Sequence, residues 1–424
     1  MKRAILSTVV LSALGILLAS CGGSSSSTSG KVSGFSTRAF VSNSFSGILN
    51  IIDYSHDIES TNAYIAAGTQ PGMMVLTPDR KTTMVFDGSA NAIDIVDNST
   101  ETTATSVSIN APASSIVVSP DSKTAYIATP GLPISGQANG AVQVLTIASA
   151  TMGTPISVPN AKTLALSPDG TKMLVFSDGS DQATYLDLTT LTASTPTNPV
   201  PVMVGGAIVR PVAAAFSSDG TKAYVANCGA ECGGAPNTAG VSVVDMSTNP
   251  PAAGAELPVN AATTMLLDGS NLYVAGTVPQ ATAGSLTVLA ASGSTVSVSK
   301  PAINIGLGFH TKMIKGADNT LFIGATGCPN VVVANPDPQN GVVGGGCLTI
   351  YNTSSADAVI TNAASGFVTG MAAIPRRSVV YVTEGGELDI YDTQTRALQN
   401  SHCPGFACFI DIVGKAQDVV VVDQ

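Results

Sequence analysis

The chain has 424 residues, only 11% of them charged, and its 28 acidic residues outnumber its 18 lysines and arginines. The resulting formal net charge of −10 argues against nucleic acid or another polyanion as the partner. The 42 glycines and 24 prolines are typical of a chain with many tight turns. Composition therefore favours short strands joined by turns.

The first 20 residues have the pattern of an export signal. Lys2 and Arg3 precede an apolar run over residues 4–18, which is too short for a membrane-spanning helix. The run ends in Leu18-Ala19-Ser20-Cys21, which resembles the bacterial lipobox. That resemblance implies cleavage before Cys21 and attachment of two or three acyl chains, such as palmitate, which anchor a protein stably. An ordinary secretory peptide with a chance cysteine is the alternative.

Residues 21–36 follow as the lipidated cysteine and a tether rich in glycine, serine and threonine. Residue 22 is glycine rather than aspartate, and by resemblance to enterobacterial sorting this favours the outer membrane. Removal of residues 1–20 takes away Lys2 and Arg3, so the net charge moves from −10 to −12. We expect a protein of the bacterial cell envelope, anchored through Cys21 and facing the periplasm or the cell surface.

A strand pattern recurs about every 40 to 60 residues through the rest of the chain. An apolar strand runs into a Ser-Pro-Asp-Gly type of turn, and strands of the Ala-Tyr-Ile-Ala and Val-Ser-Val-Val-Asp types follow. The cleanest copies are SIVVSPDSKTAYIATP from Ser115, TLALSPDGTKMLVFSD from Thr163 and AAAFSSDGTKAYVANC from Ala213. Several strands per repeat at this period predict an all-β chain with a single β-propeller over residues 37–424.

The innermost strand of each four-stranded blade can be located from these repeats. The candidates lie near 72–77, 115–119, 163–167, 212–217, 263–267, 312–316, 370–374 and 409–413. These eight candidate strands predict eight blades, and seven blades are the alternative. Arg38–Asp53 resembles the second and third strands of a blade, and Phe409–Asp423 resembles the first and second. The two chain ends should therefore close the ring within one shared blade.

The repeats also resemble a known family. Three segments, Ala39–Asn43, Ala223–Asn227 and Val380–Thr383, look like degenerate Tyr-Val-Thr-Asn (YVTN) repeats, and Val243–Asp245 and Asp389–Asp392 look like the Val-Ile-Asp strand that follows them. The resemblance covers roughly residues 37–424 and implies a YVTN or lactonase-like propeller. That family includes surface-layer proteins, lactonases and electron-transfer subunits, so the resemblance implies no single activity.

Six cysteines remain after Cys21, and an even number in an exported chain predicts disulfides. Local pairing is the most economical arrangement, and it gives Cys228–Cys232, Cys328–Cys347 and Cys403–Cys408. Zinc is the competing interpretation, but the sequence has no Cys-x-x-Cys motif. We therefore expect no metal, and no motif indicates another cofactor.

Candidate functional residues lie where the innermost strands begin. Long loops at 129–140, 227–240, 276–284 and 326–346 should share one face with the mouth of the central channel. Lys162, Arg210, His310 and Lys312 lie just before or at predicted innermost strands, so they should point near that mouth. Together they can bind a carboxylate or a sugar acid, with His310 as a general base. Alternatively, each is a solvated residue at a strand end.

Two classes of function follow from this pattern. The first is a lipid-anchored binding module, a monomer that presents its disulfide-pinned loops to a protein or a glycan. The second is a lactonase-like hydrolase, or another small-molecule enzyme, at the channel mouth. The chain has only three histidines, and only His310 has a suitable predicted position for acid–base work. The sequence therefore favours the binding module over the enzyme.

Overall fold

The strand repeats fold into eight antiparallel sheets, which form the blades of one all-β propeller. The computed structural model describes residues 32–191, 197–206, 208–328, 346–361, 366–399 and 409–424. The predicted signal, Cys21 and most of the tether lie outside these ranges. Within them, no helix is long and apolar enough to cross a membrane. The count of eight blades is confirmed, and the alternative of seven is wrong.

Each blade contains four main strands, which are named in order from the channel outward. Blade 1 contains β34 (Ala416–Val421), β1 (Arg38–Asn43), β2 (Ile48–Asp53) and β3 (Ile58–Ala66). Blade 2 contains β4 (Pro71–Leu76), β5 (Thr82–Asp87), β6 (Ala92–Asp97) and β7 (Thr102–Ser108). Blade 3 contains β8 (Ser115–Val118), β9 (Thr124–Thr129), β10 (Ala141–Thr146) and β11 (Thr151–Met152), with β12 (Ile156–Ser157) also paired to β10. Blade 4 contains β13 (Ala161–Leu166), β14 (Lys172–Ser177), β15 (Ala183–Asp187) and β16 (Val202–Met203).

The remaining four blades follow the same order. Blade 5 contains β17 (Pro211–Phe216), β18 (Lys222–Asn227), β19 (Gly240–Asp245) and β20 (Ala252–Pro258). Blade 6 contains β21 (Thr264–Asp268), β22 (Asn271–Gly276), β23 (Gly284–Ser292) and β24 (Thr295–Ile305). Blade 7 contains β25 (Phe309–Lys315), β26 (Thr320–Thr326), β27 (Gly346–Asn352) and β28 (Asp357–Ile360). Blade 8 contains β29 (Val368–Ala373), β30 (Val379–Glu384), β31 (Glu387–Asp392) and β32 (Ala397–Leu398), with β33 (Phe409–Ile410) also paired to β31.

The chain ends close the ring within blade 1, as the sequence predicts, but the division of strands differs. The N-terminal segment supplies three strands, so the C-terminal segment adds only the innermost one, β34, which pairs with β1. The predicted innermost strand at 409–413 is therefore wrong, because β33 joins blade 8 and β34 begins at Ala416. The predicted two-strand hairpin of Phe409–Asp423 is wrong for the same reason.

A buried ionic network fastens this closure. Arg38, at the start of β1, donates two hydrogen bonds to the Asp423 carboxylate, from Nε at 2.8 Å and from the second terminal nitrogen at 2.9 Å. Its other terminal nitrogen lies 2.9 Å from Glu101 Oε1, and the side chains of Arg38 and Glu101 are 3% and 0% exposed. The Glu101 carboxylate also accepts hydrogen bonds from Ser33. One guanidinium thus joins the first strand, the C-terminus and blade 2.

Turn chemistry explains the tight hairpins between first and second strands. In blade 4, Ser167 Oγ donates to Asp169 Oδ1 at 2.6 Å, and the same oxygen accepts the N–H of Thr171 at 3.0 Å. Gly170 then adopts a φ of +72°, which glycine tolerates without a steric cost. Neighbouring blades pack through apolar clusters, one for each blade-to-blade interface. Within the described residues the core is thus a ring of eight interface clusters, with one further small cluster at Ala111, Leu132 and Ala141, rather than one centre.

A buried polar residue recurs on the third strand of every blade. It always lies opposite a valine or isoleucine of the second strand, and the eight members are Asn50, Asp94, Gln143, Thr184, Ser242, Thr287, Thr349 and Asp389. Two of them hold the connection that leads into their own blade. Gln143 Nε2 donates to the carbonyl of Ile109 at 2.7 Å, and Thr349 Oγ1 accepts the N–H of Gly306 at 3.0 Å. These bonds fix the segments from which the innermost strands start.

Candidate functional site: the channel mouth

The starts of five innermost strands surround a cavity of about 370 Å³, which we call the channel-mouth cavity. Its lining comes from β8, β13, β17, β21 and β25, together with the loop that follows β14. In a propeller these strand starts share one face with the loops between second and third strands. The structure places the loops at 129–140, 227–240 and 276–284 as such connections, while most of 326–346 lies outside the described residues.

Lys162 and Arg210 both line this cavity, as their sequence positions predict. Each cation has an acidic neighbour on the loop after β14. Lys162 Nζ lies 2.8 Å from Asp178 Oδ1, with side chains 53% and 66% exposed. Arg210 Nε lies 3.3 Å from Asp181 Oδ1, at ion-pair distance but without the angle of a hydrogen bond. The Lys162–Asp178 pair is exposed on both sides and contributes little free energy, so a ligand carboxylate can compete for Lys162. The Arg210 side chain is only 23% exposed.

The backbone of Arg210 is held in an unusual conformation. Its φ is +53°, a left-handed value that side chains other than glycine and asparagine rarely adopt. The Arg210 N–H donates to Asp181 Oδ1 at 3.2 Å, and its carbonyl accepts the N–H of Cys228 at 2.9 Å. The guanidinium also donates to the carbonyl of Gly179. These contacts over-determine the conformation and hold the side chain at the cavity wall.

Lys312 is the third cation in the lining, and it comes from blade 7. It follows a bulge in β25, and its side chain makes no ion pair or hydrogen bond within the part of the chain that the structure describes. Its charge acts on Asp418 of β34, a carboxyl whose pKa is raised by burial and lowered in part by Lys312. Asp418 Oδ2 accepts the N–H of Met74 at 2.9 Å and so links blades 1 and 2.

His310 does not line the channel-mouth cavity. It is 1% exposed, and among the described residues neither ring nitrogen makes a hydrogen bond of good geometry, the nearest interaction being with the backbone of Gly306. Burial lowers its pKa to about 4, so the imidazole is neutral at neutral pH. The sequence predicts that His310 points near the channel mouth, and this prediction is wrong.

Strand register explains the position of His310. In each blade, one residue of the first strand pairs with the residue at the middle of the second strand. His310 lies three residues before that residue in blade 7, and the residue at the equivalent position is buried in six other blades. Those residues are Pro71, Ala161, Pro211, Ala262, Val368 and Ala416. The larger imidazole fits because the facing residue is Gly284, where a Cβ would lie 2.8 Å from His310 Cε1.

The same registers show that Lys162 and Arg210 are not equivalent, although the sequence suggests that they are. Arg210 precedes its strand by one residue, whereas Lys162 occupies the bulge of β13. A bulge residue is unpaired and can turn toward the channel. The two cations therefore reach one cavity from different backbone positions.

The Cys228–Cys232 disulfide is confirmed, with Cα atoms 5.6 Å apart. It closes a short helical turn at Gly229–Cys232, and Cys232 lines the channel-mouth cavity next to Arg210. Cys328 is also disulfide-bonded. Its pairing with Cys347 stays a prediction because the side chain of Cys347 lies outside the described part of the chain. Cys403 and Cys408 lie outside it as well.

A second cavity, of about 330 Å³, lies beside the first between blades 5 and 6. We call it the blade 5–6 cavity. Glu231, which the sequence pattern did not single out, lies in its wall on the disulfide-closed turn. Its Oε2 accepts the N–H of Thr277 at 2.8 Å, and burial raises its pKa to about 7. The sequence could have indicated Glu231 as a candidate, because it is the only acidic residue in the 227–240 loop.

Comparison with known proteins supports the fold and no closer relationship. No protein-family model matches the chain, and no curated protein does. Among solved structures, a functionally unknown protein from Desulfotomaculum acetoxidans matches with a TM-score of 0.55 at 13% identity, over 92% of this chain and 99% of that one. Dihydro-heme d1 dehydrogenase NirN, solved in complex with DHE, matches with a TM-score of 0.61 at 11% identity, over 91% and 75%. Kuenenia stuttgartiensis hydrazine synthase gives 0.48 at 15% identity, over 84% and 92%.

These similarities define the class of protein as a β-propeller, which agrees with the eight blades of the structure. At such low identity they indicate nothing about activity. Within the described residues there is no group of three or more histidine, cysteine, aspartate or glutamate side chains that could hold a metal ion. The candidate site is thus defined by its cations and its loops.

Proposed function

We propose that this protein is a binding module that takes a carboxylate-bearing sugar, such as the acidic end of a glycan, at the channel-mouth cavity. The observation that carries the proposal is the convergence of Lys162, Arg210 and Lys312 from three blades on one cavity. Asp178 and Asp181 offset two of the three cations, so the opening carries a net positive charge through Lys312, in a chain whose overall net charge is −10. Arginine suits a carboxylate because its planar fork can donate two parallel hydrogen bonds.

The rest of the lining suits the hydroxyl groups of a sugar. Ser115, Thr163 and Thr264 contribute side-chain hydroxyls at the strand starts, and Phe309, which is 42% exposed, contributes an aromatic face. A hydroxyl group both donates and accepts hydrogen bonds, so each of these side chains can pair with a sugar hydroxyl that acts as either donor or acceptor. Binding is favoured over hydrolysis because the one histidine predicted to act as a base is turned into the blade interface.

The test is calorimetric titration with galacturonate, using galactose as the uncharged control. We expect galacturonate to bind, and Lys162→Gln and Lys312→Gln each to weaken binding by roughly tenfold, the effect of one hydrogen bond to a charged group. Lys315→Gln is the matched control. Lys315 lies on β25 with Lys312 but outside the cavity lining, and it pairs with Asp268 at 2.6 Å. Equal binding of galactose, or equal loss in the control variant, would refute the proposal.

We also propose that the propeller belongs to the YVTN or lactonase-like type. In support, Ala223–Asn227 and Val380–Thr383 lie in the second strands of their blades, and Val243–Asp245 and Asp389–Asp392 lie in the third strands. The repeat motif thus falls at one place in the blade. Because lactonases occur in that family, a panel of sugar lactones should be tested with the purified protein. We expect no turnover that depends on His310.

Finally, we propose that the module is a monomer held in the bacterial cell envelope through acyl chains on Cys21, favouring the outer membrane. The Cys228–Cys232 disulfide supports an oxidising compartment. The Gly/Ser/Thr tether provides the reach from membrane to propeller. Replacing Cys21 with serine should abolish labelling by radioactive palmitate and move the protein into the soluble fraction. Membrane attachment that persists in that variant would contradict the anchor.

A further inference from the structure

The blade 5–6 cavity has a different chemistry from the channel mouth. Its walls come from the disulfide loop of blade 5, the connection at 258–261, the loop of blade 6 and the facing ends of β23 and β24. A volume of about 330 Å³ falls within the range of small-molecule sites, roughly 300–1,000 Å³. Most of the wall is formed by alanine, proline, valine and glycine. Five of the lining residues have polar side chains.

Those polar groups are all suited to accept hydrogen bonds from a cation. Glu231 is the only residue in the lining that can carry a charge, since Cys228 is in the disulfide. Three amide side chains, those of Asn237, Asn260 and Asn304, and the hydroxyl of Ser285 complete the polar wall. An amide oxygen and a carboxylate are both acceptors, and an ammonium group has three donors to satisfy.

Glu231 is also a charge without a counter-ion. No lysine, arginine or histidine of the described chain lies within ion-pair distance of it, and its hydrogen-bond partner is the backbone N–H of Thr277. A partly buried carboxylate without a cation pays a desolvation cost that a bound cation offsets. The raised pKa of Glu231 has this same cause.

We propose that the blade 5–6 cavity is a second binding site, which takes a small primary amine with Glu231 as its counter-ion. The aliphatic part of the ligand packs against the alanine and valine walls, and its ammonium group contacts the Glu231 carboxylate and the neighbouring amide oxygens. The Cys228–Cys232 disulfide holds the turn that carries Glu231, so it fixes the carboxylate in the wall. This site is independent of the cationic channel mouth, which repels an amine.

The test uses putrescine as the probe and 1,4-butanediol, the uncharged molecule of the same length, as the control. Calorimetric titration of the mature protein should show binding of putrescine and none of butanediol. Glu231→Gln, which keeps the size of the side chain and removes its charge, should weaken binding by roughly 10- to 100-fold. Glu256→Gln is the matched control, because Glu256 lies in blade 5 but outside the cavity lining, and it should leave binding unchanged.

Proton linkage gives a second readout that a merely structural role of Glu231 would not produce. The amine binds the ionised carboxylate, so affinity should rise with pH as the free carboxyl ionises around its pKa of about 7. At pH 6, where the free carboxyl is mostly protonated, binding should release protons into the buffer, and Glu231→Gln should abolish that release.

Three results would overturn the proposal: no putrescine binding, equal binding of butanediol, or unchanged affinity in Glu231→Gln. Lys162→Gln separates this site from the channel mouth. That variant should weaken galacturonate binding and leave putrescine binding intact, so failure at one site is distinguishable from failure at the other.

Discussion

Removing the Arg38 guanidinium should destabilise the ring more than removing any exposed arginine. In Arg38→Met the buried Glu101 carboxylate, whose side chain is 0% exposed, loses its cation while the methionine fills part of the space. Breaking a buried pair from one side costs about 3–5 kcal/mol, because the remaining charge stays desolvated. Glu101 keeps its hydrogen bonds from Ser33, at 2.6 and 2.7 Å, so we expect the lower end, about 3 kcal/mol.

The assay is urea unfolding followed by far-ultraviolet circular dichroism, since the chain contains no tryptophan. Arg396→Met is the matched control. Its ion pair with Asp357 has a similar length, 2.7 Å, but the aspartate side chain is 50% exposed, so the loss should be under about 1 kcal/mol. Adding Glu101→Gln to Arg38→Met should recover part of the stability, because it removes the orphaned charge. Equal losses in Arg38→Met and Arg396→Met would refute the role of this network in ring closure.

Two further changes test the closure and the disulfide. Deleting residues 416–424 removes β34 and leaves β1 and the neighbouring innermost strands without their partner. The product should therefore be insoluble or rapidly degraded in limited proteolysis. A soluble deletion variant that melts cooperatively would contradict this prediction. Replacing Cys228 and Cys232 with serine should leave the ring folded, because the two cysteines are only four positions apart within one loop. The replacement should weaken binding of both galacturonate and putrescine, because that loop supports Arg210 and carries Glu231. Unchanged affinity at both cavities would contradict this prediction. Peptide mapping of the unreduced protein should also find Cys328–Cys347 and Cys403–Cys408, and free thiols at those four positions would contradict the predicted pairing.

Much of the fold could be predicted from the sequence because each blade repeats the same local chemistry. Turns of the Ser-Pro-Asp-Gly type mark the hairpin between first and second strands in blades 2 to 5, and the recurring strand pattern marks the innermost strands of blades 6 to 8. Seven of the eight innermost strands could therefore be located. The eighth failed because Phe409–Ile412 is a short apolar run with one acidic residue, as in a strand, while the valine run 419–422 resembles a second strand. Which segment enters the ring depends on the three strands that the N-terminus already supplies, and no local pattern contains that information.

The candidate site was predicted only in part, for a related reason. Lys162 and Arg210 reach the cavity because a bulge and a left-handed residue turn them toward it, whereas His310 sits at a register position that faces the blade interface. A shift of one residue in a strand exchanges its two faces, so sequence position near a strand start cannot decide where a side chain points. Burial at that position is also the main cause of the low pKa of His310.

The most direct test of the central claim is a crystal structure of the mature protein with galacturonate. We predict the carboxylate of the sugar in the channel-mouth cavity, within hydrogen-bond distance of at least two of the side chains of Lys162, Arg210 and Lys312, with the Lys162–Asp178 pair opened or shared. Galacturonate bound on the outer strands or in the blade 5–6 cavity, with the channel mouth left to solvent, would contradict the claim.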